Sequence, residues 1–210
     1  MMKSIIFDVD GTLWDPTEII MHSWNRAIAE LGTTSAVITA DVLKKEFGKP
    51  MDVIANNLFA DANEQDRAIL LDRCCQYEHD DLLASEKSCL FPNVVETIQQ
   101  LSSQTSVFIV SNCQSGYIEL FMEKAGIAQY ITDYECFGDT GLSKGKNIKL
   151  IMERNELVDT IYVGDTQGDY EATLYANIPF VYASYGFGQP EGYNYAINNI
   201  AELLDREMMR

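Results

Sequence analysis

Ser4-Ile5-Ile6-Phe7-Asp8-Val9-Asp10-Gly11-Thr12, close to the amino end, is the stretch that decides the fold. Ile5, Ile6 and Phe7, reached from Met1-Met2-Lys3, read as a buried strand. Asp8 and Asp10, spaced i, i+2 at its carboxyl end, fall on the same side, because strand side chains alternate. Two acids then share one small site, and Gly11 supplies the backbone freedom for a tight turn out of the strand. Like charges this close resist joint ionisation unless a cation lies between them or one carboxyl keeps its proton. An acidic Asp-Gly turn is common in any protein, so the choice between a turn and a site falls to the other strand ends.

Working outward, Ile20, Trp24, Ala27, Ile28 and Leu31 recur at helical spacing. Pro16 suits the first turn of that helix and Gly32 its end. Further helical segments are expected over 39–47, 50–60 and 64–84, the last with Leu71, Cys75 and Leu82 on one face. After Phe91-Pro92 the texture changes to alternation: a helix through Val94, Ile98 and Leu101, the strand Val107-Phe108-Ile109-Val110, then a helix through Ile118, Phe121, Met122 and Ala125 closed by Gly126. A short strand at 136–137, a helix over 145–155, a strand at 160–163, a helix over 168–177, a strand at 180–182 and a last helix over 197–208 complete the reading. Such alternation calls for an α/β fold, a doubly wound parallel sheet. The helices of 15–86 form an all-helical insertion over the carboxyl edge of that sheet, leaving 1–14 and 87–210 as the α/β core. In open α/β sheets that edge is where ligands bind.

Composition narrows the partners. The chain has 210 residues, 47% of them apolar, enough for a packed core. Its 32 acidic residues against 15 basic give a net charge of −17, which disfavours nucleic acid and anionic lipid, since binding to either depends on Lys and Arg. A phosphorylated substrate meets the same repulsion, so an anion site needs a metal ion or locally placed lysines. Five cysteines (Cys74, Cys75, Cys89, Cys113, Cys136) without CxxC spacing argue against a disulfide framework and a zinc site. No apolar run approaches ~18 residues and no signal-peptide pattern opens the chain, so a cytoplasmic protein is expected.

The other strand ends favour a site. Val110 runs into Ser111-Asn112, and Val163-Gly164 into Asp165-Thr166 with Asp169 four residues on. A hydroxyl and an amide at the start of a helix present donors where helix amides converge, an anion site, although capping alone explains such residues elsewhere. Asp165 and Asp169 facing Asp8 and Asp10 suit a hard divalent cation with oxygen ligands, Mg²⁺ above all. Lys144, in Gly141-Leu142-Ser143-Lys144-Gly145-Lys146, lies at a helix amino end, where the macrodipole disfavours a cation and an anion would justify one. The same run is not a P-loop, because its first glycine is absent and Asn147 replaces the Ser or Thr that binds Mg²⁺.

With these motifs in order, the chain resembles the haloacid dehalogenase superfamily: Asp8-Val9-Asp10-Gly11-Thr12, Ser111-Asn112, Lys144-Gly145 and Gly164-Asp165-Thr166-Gln167-Gly168-Asp169 match its four motifs. The insertion of 15–86 resembles the small helical cap of the first subfamily, which includes phosphoglycolate phosphatases, beta-phosphoglucomutases and the dehalogenases. Phe91-Pro92-Asn93-Val94 resembles the subfamily's Tyr-Pro-Gly-Val. Trp14 and Pro16, Asn93 for glycine, and Asn177 for the glycine after the fourth motif depart from pattern.

The resemblance implies a Mg²⁺-dependent phosphatase of a small phosphorylated metabolite. Asp8 would form an aspartyl-phosphate, and Asp10, kept protonated by the acids nearby, would act as general acid and then base. Mg²⁺ would be held by Asp8, the backbone carbonyl of Asp10 and Asp165, with Asp169 gripping from nearby or through water. Ser111, the Asn112 amide and Lys144 would take the phosphoryl oxygens, and Thr12 joins Asn112 and Lys49 among the substrate-binding residues. Phe47-Gly48-Lys49-Pro50 resembles the specificity loop of phosphoglycolate phosphatases, where Lys49 would meet a substrate carboxylate or second phosphate. The Asp10, Asp165 and Asp169 set points away from carbon–halogen cleavage, which needs neither Mg²⁺ nor a second acid. A phosphomutase shares the same core and is the alternative. An aspartyl-phosphate receiver domain is the distant one, being far shorter and uncapped.

Overall fold

In a computed structural model describing residues 4–205, the opening apolar run forms strand β1 (Ser4–Phe7), buried at every position. Four helices follow before any other strand: α1 (Thr17–Leu31), α2 (Ala40–Glu46), α3 (Met51–Leu58) and α4 (Glu64–Ala84). Then come α5 (Val94–Ser102), β2 (Val107–Ser111), α6 (Tyr117–Ala125), β3 (Asp133–Cys136), α7 (Phe137–Thr140), α8 (Lys144–Arg154), β4 (Thr160–Gly164), α9 (Gln167–Ala176), β5 (Phe180–Ala183) and β6 (Tyr195–Ile197). The six strands form one sheet in the order β3-β2-β1-β4-β5-β6, every pairing parallel. This is the doubly wound α/β architecture, and the strand order reverses between β1 and β4.

Alternation along the strands sorts the core. Ile5, Phe7, Ile109, Ile161 and Val163 pack on one face with Val94, Ile98, Ile118 and Phe121 from α5 and α6. Ile6, Phe108, Val110, Tyr162 and Phe180 pack on the other with Ile148 and Ile151 of α8 and Ala172 and Ala176 of α9. A sheet covered on both faces reads as unbroken apolar runs, which is why these strands carry Ile, Val and Phe at successive positions.

Several expected boundaries shift. The last helix over 197–208 is replaced by β6 and a short 3-10 turn, Ile200–Leu204, with 206–208 outside the described residues. The strand expected at 136–137 is β3, ending at Cys136, and Phe137 already belongs to α7. On α4 the buried stripe is Leu70, Cys74, Glu78 and Leu82 rather than one through Leu71 and Cys75. Its acid was invisible to an apolar-periodicity reading. Asn93 (φ 68°) and Asn177 (φ 59°) are both left-handed and flank helices; Asn tolerates that region better than other side chains, so it stands in for glycine there.

Candidate active site

The functional residues meet at the carboxyl ends of β1, β2 and β4. In register, Phe7 is opposite both Ile109 and Val163, so Asp8 follows β1 level with the ends of its two neighbours. The Asp8 amide donates to the Val163 carbonyl at 2.9 Å, extending the ladder one residue beyond the strand. Gly11 then turns the chain back at φ 79°, where a Cβ would lie 2.3 Å from Asp165 Oδ2. Only glycine lets the first motif approach the fourth this closely.

One buried cation links the carboxylates. Lys144 Nζ is 3.0 Å from Asp8 Oδ2 and 2.6 Å from Asp169 Oδ1, and all three residues are at most 3% exposed. Asp169 is saturated: Oδ1 also accepts from the Tyr162 hydroxyl, while Oδ2 accepts from the amides of Asp165 and Thr166 and from the Thr166 hydroxyl, closing a capping box on α9. Although burial opposes ionisation, Lys144 and these donors hold the Asp169 carboxyl below the usual range. Burial pushes Asp8 up to about 6, against the pull of Lys144.

Asp10 occupies a different environment. Its Oδ1 accepts from Trp14 Nε1 at 2.9 Å and from the Tyr117 hydroxyl at 2.7 Å. Burial pushes its carboxyl up to about 8, with Asp8 and Glu78 reinforcing the shift and the two donors opposing it. Desolvation, more than the neighbouring acids the sequence suggested, keeps the proton on.

Asp165 is wholly buried; the Phe187 amide reaches its Oδ2 at 2.7 Å and the Thr12 hydroxyl its Oδ1 at 3.4 Å. Asp8, Asp165 and Asp169 present ligand oxygens within 4.8 Å of one another. Asp8 Oδ1 is buried without a hydrogen-bond partner. An orphaned carboxylate oxygen in an all-oxygen donor set fits a hard divalent cation.

A cavity opens in front of Asp8 and Asp10, lined by Ser111 and Asn112 on one side and by Trp24, Phe47 and Lys49 on the other. Asn112 Nδ2 donates to the Gly48 carbonyl at 2.7 Å, tying the second motif to the helical layer. Two residues assigned to substrate have other partners. Thr12 is fully buried, is absent from the cavity wall and donates to Asp165. Lys49 lines the cavity with its Nζ 2.9 Å from Glu46 Oε1, so a carboxylate of its own layer already meets its charge.

Sequence reasoning missed Tyr117, Tyr162, the Phe187 amide and Glu78, whose types carry no motif. Trp14 was visible only as a departure from pattern.

Comparison with known proteins agrees with this geometry. Residues 5–183 match the family described as haloacid dehalogenase-like hydrolase. A phosphoglycolate phosphatase of Vibrio parahaemolyticus is 25% identical over 226 residues, covering 97% of this chain and 95% of the relative. The pyrophosphatase PpaX of Oceanobacillus iheyensis is 26% identical over 183 residues, covering 84% and 81%. The crystal structure of a predicted phosphoglycolate phosphatase from Haemophilus somnus superposes with a TM-score of 0.86 at 20% identity, covering 98% of each chain. Strand order, the acids converging on the β1/β4 reversal and a family match spanning most of the chain lead to one assignment: this protein belongs to the haloacid dehalogenase-like hydrolases.

Proposed function

We propose that the protein is a Mg²⁺-dependent phosphatase of a small phosphorylated metabolite, working through an aspartyl-phosphate on Asp8. In this reading 1–14 and 87–210 are the catalytic core, and 15–86 is a helical cap that covers the substrate. The observation that carries it is the state of Asp8: one oxygen is held by Lys144 and the other is buried with no partner, at the sheet's reversal point. The relatives named as phosphatases support it.

The steps follow from the groups in place. Asp8 attacks phosphorus; the bond to the ester oxygen breaks as the bond to the carboxylate forms. Asp10 gives its proton to the departing alkoxide. Its Oδ1 already accepts two hydrogen bonds, which leaves Oδ2 to carry that proton. Water then attacks the phosphoryl group, Asp10 takes the water's proton, and phosphate departs with the Asp8 carboxylate restored. Ser111, the Asn112 amide and Lys144 hold the phosphoryl oxygens, where charge neutralisation carries most of the catalysis. Asp8, Asp165 and the Asp10 carbonyl would hold Mg²⁺, with the saturated Asp169 supporting from nearby; bound there, the ion neutralises phosphoryl charge and relieves repulsion among the carboxylates. Five free cysteines suit a reducing compartment, the cytoplasm.

Hydrolysis of p-nitrophenyl phosphate tests the reading. Turnover should require Mg²⁺, vanish in excess chelator, and fall on the order of 10⁴-fold or more in Asp8→Asn while the circular dichroism spectrum is retained. Full activity in chelator would refute the mechanism.

A further inference from the structure

Glu78 lines the cavity and is 3% exposed. Its Oε2 accepts from Trp24 Nε1 at 2.7 Å and its Oε1 from Gln114 Nε2 at 2.8 Å, both neutral donors. No lysine or arginine among the described residues forms an ion pair with it. A buried carboxylate without a cation is costly, and burial pushes its carboxyl up to about 7. Glu46 lines the same cavity and holds Lys49. The cap side therefore carries two carboxyl groups and one lysine, and that lysine is already paired with Glu46.

A second observation concerns Asn112. Its Nδ2 is directed at the Gly48 carbonyl, which fixes the amide orientation, and its Oδ1 is buried with no donor. The polar groups still unmet around the cavity are acceptors: Asp8 Oδ1 and the Asn112 carbonyl oxygen on the core side, and the remaining lone pairs of Glu78 on the cap side. Unmet acceptors with no free cation beside them welcome hydroxyl or ammonium donors and offer a second anion no partner.

We propose that Glu78 is a specificity-determining residue that selects phosphate monoesters of hydroxyl- or amino-bearing alcohols over esters carrying a carboxylate. The inference rests on the phosphatase reading and deepens it by naming the substrate class. It reverses the expectation that Lys49 receives a substrate anion.

Three two-carbon esters differing only at the far end provide the test: 2-hydroxyethyl phosphate, phosphoethanolamine and phosphoglycolate, with p-nitrophenyl phosphate as the probe of phosphoryl chemistry. Wild type should turn over the hydroxyl and ammonium esters with kcat/KM at least about tenfold above phosphoglycolate. In Glu78→Gln the ratio of phosphoglycolate to 2-hydroxyethyl phosphate should rise about tenfold, whatever happens to each rate alone. Preference of the wild type for phosphoglycolate, which needs no variant to observe, or an unchanged ratio in Glu78→Gln, overturns the inference while p-nitrophenyl phosphate turnover upholds the phosphatase. No turnover of any of the four overturns both.

Discussion

The two walls of the cavity handle charge in opposite ways. Behind the core wall, Lys144 lies between Asp8 and Asp169, and Asp169 takes further bonds from Tyr162, Asp165 and Thr166. On the helical side, Glu78 rests on an indole and an amide, and Lys49 is matched by Glu46 among apolar residues such as Ile20, Leu43 and Ile54. In the proposed function the core wall meets the group every substrate shares, the phosphoryl. The helical wall makes few strong demands, so a change there alters which ester enters without dismantling the chemistry.

The contrast breaks most visibly at Lys144. Lys144→Ala leaves two buried carboxylates, Asp8 and Asp169, without their cation. Removing one partner from a buried charge network costs about 3 to 5 kcal/mol, to be read from urea denaturation, and turnover should be lost with it. A loss below about 1 kcal/mol would show that the core wall tolerates unpaired charge as the helical wall does.

Asp10 sharpens the comparison from within the core. Asp10→Asn should slow an alkyl phosphate by about 10² to 10⁴-fold, since the alkoxide needs a proton, and an aryl phosphate far less. The pH profile follows the same group. Burial raises Asp10 to about 8, so the proton-donating form is present below that pH, and kcat/KM for the alkyl ester should fall as pH rises through it. Equal losses on both esters, or a profile flat through pH 8, would assign Asp10 a structural role.

The smallest effect is expected at Lys49. It is half exposed and paired with Glu46, the last residue of α2, three positions before it, and such pairs contribute about 0 to 1 kcal/mol. Lys49→Ala should change kcat/KM for each of the two-carbon esters by no more than about fivefold. A hundredfold loss confined to phosphoglycolate would transfer specificity from Glu78 to Lys49.

Much of this was readable in the chain because it depends on short-range rules. The i, i+2 acids after β1, the hydroxyl ending β2, the lysine opening α8 and the acids after β4 are local patterns, and strand–helix alternation places them at one sheet edge. The end of the chain was less legible. Tyr195–Ile197 pairs with β5 as a short edge strand, whereas apolar spacing around it also suits a helix, and only the free edge of β5 decides between them. On α4 the misplaced stripe has a similar origin: Glu78 is buried by what it meets, Trp24 and Gln114, each far away in sequence.

The sequence by itself determined five of the six strands, the four motifs and the family, because periodicity and the order of chemical groups are properties of neighbouring residues. Tertiary structure alone decided how each acid behaves. Asp8, Asp10, Asp165 and Asp169 are the same side chain in four environments, one leaning on Lys144 with an oxygen unpaired, one kept protonated by burial against Trp14 and Tyr117, one reached by the Phe187 amide, and one saturated with donors. The charge state of a carboxyl depends on the solvent it loses and the partners it gains, and those partners lie up to 153 residues apart, as Thr12 and Asp165 do.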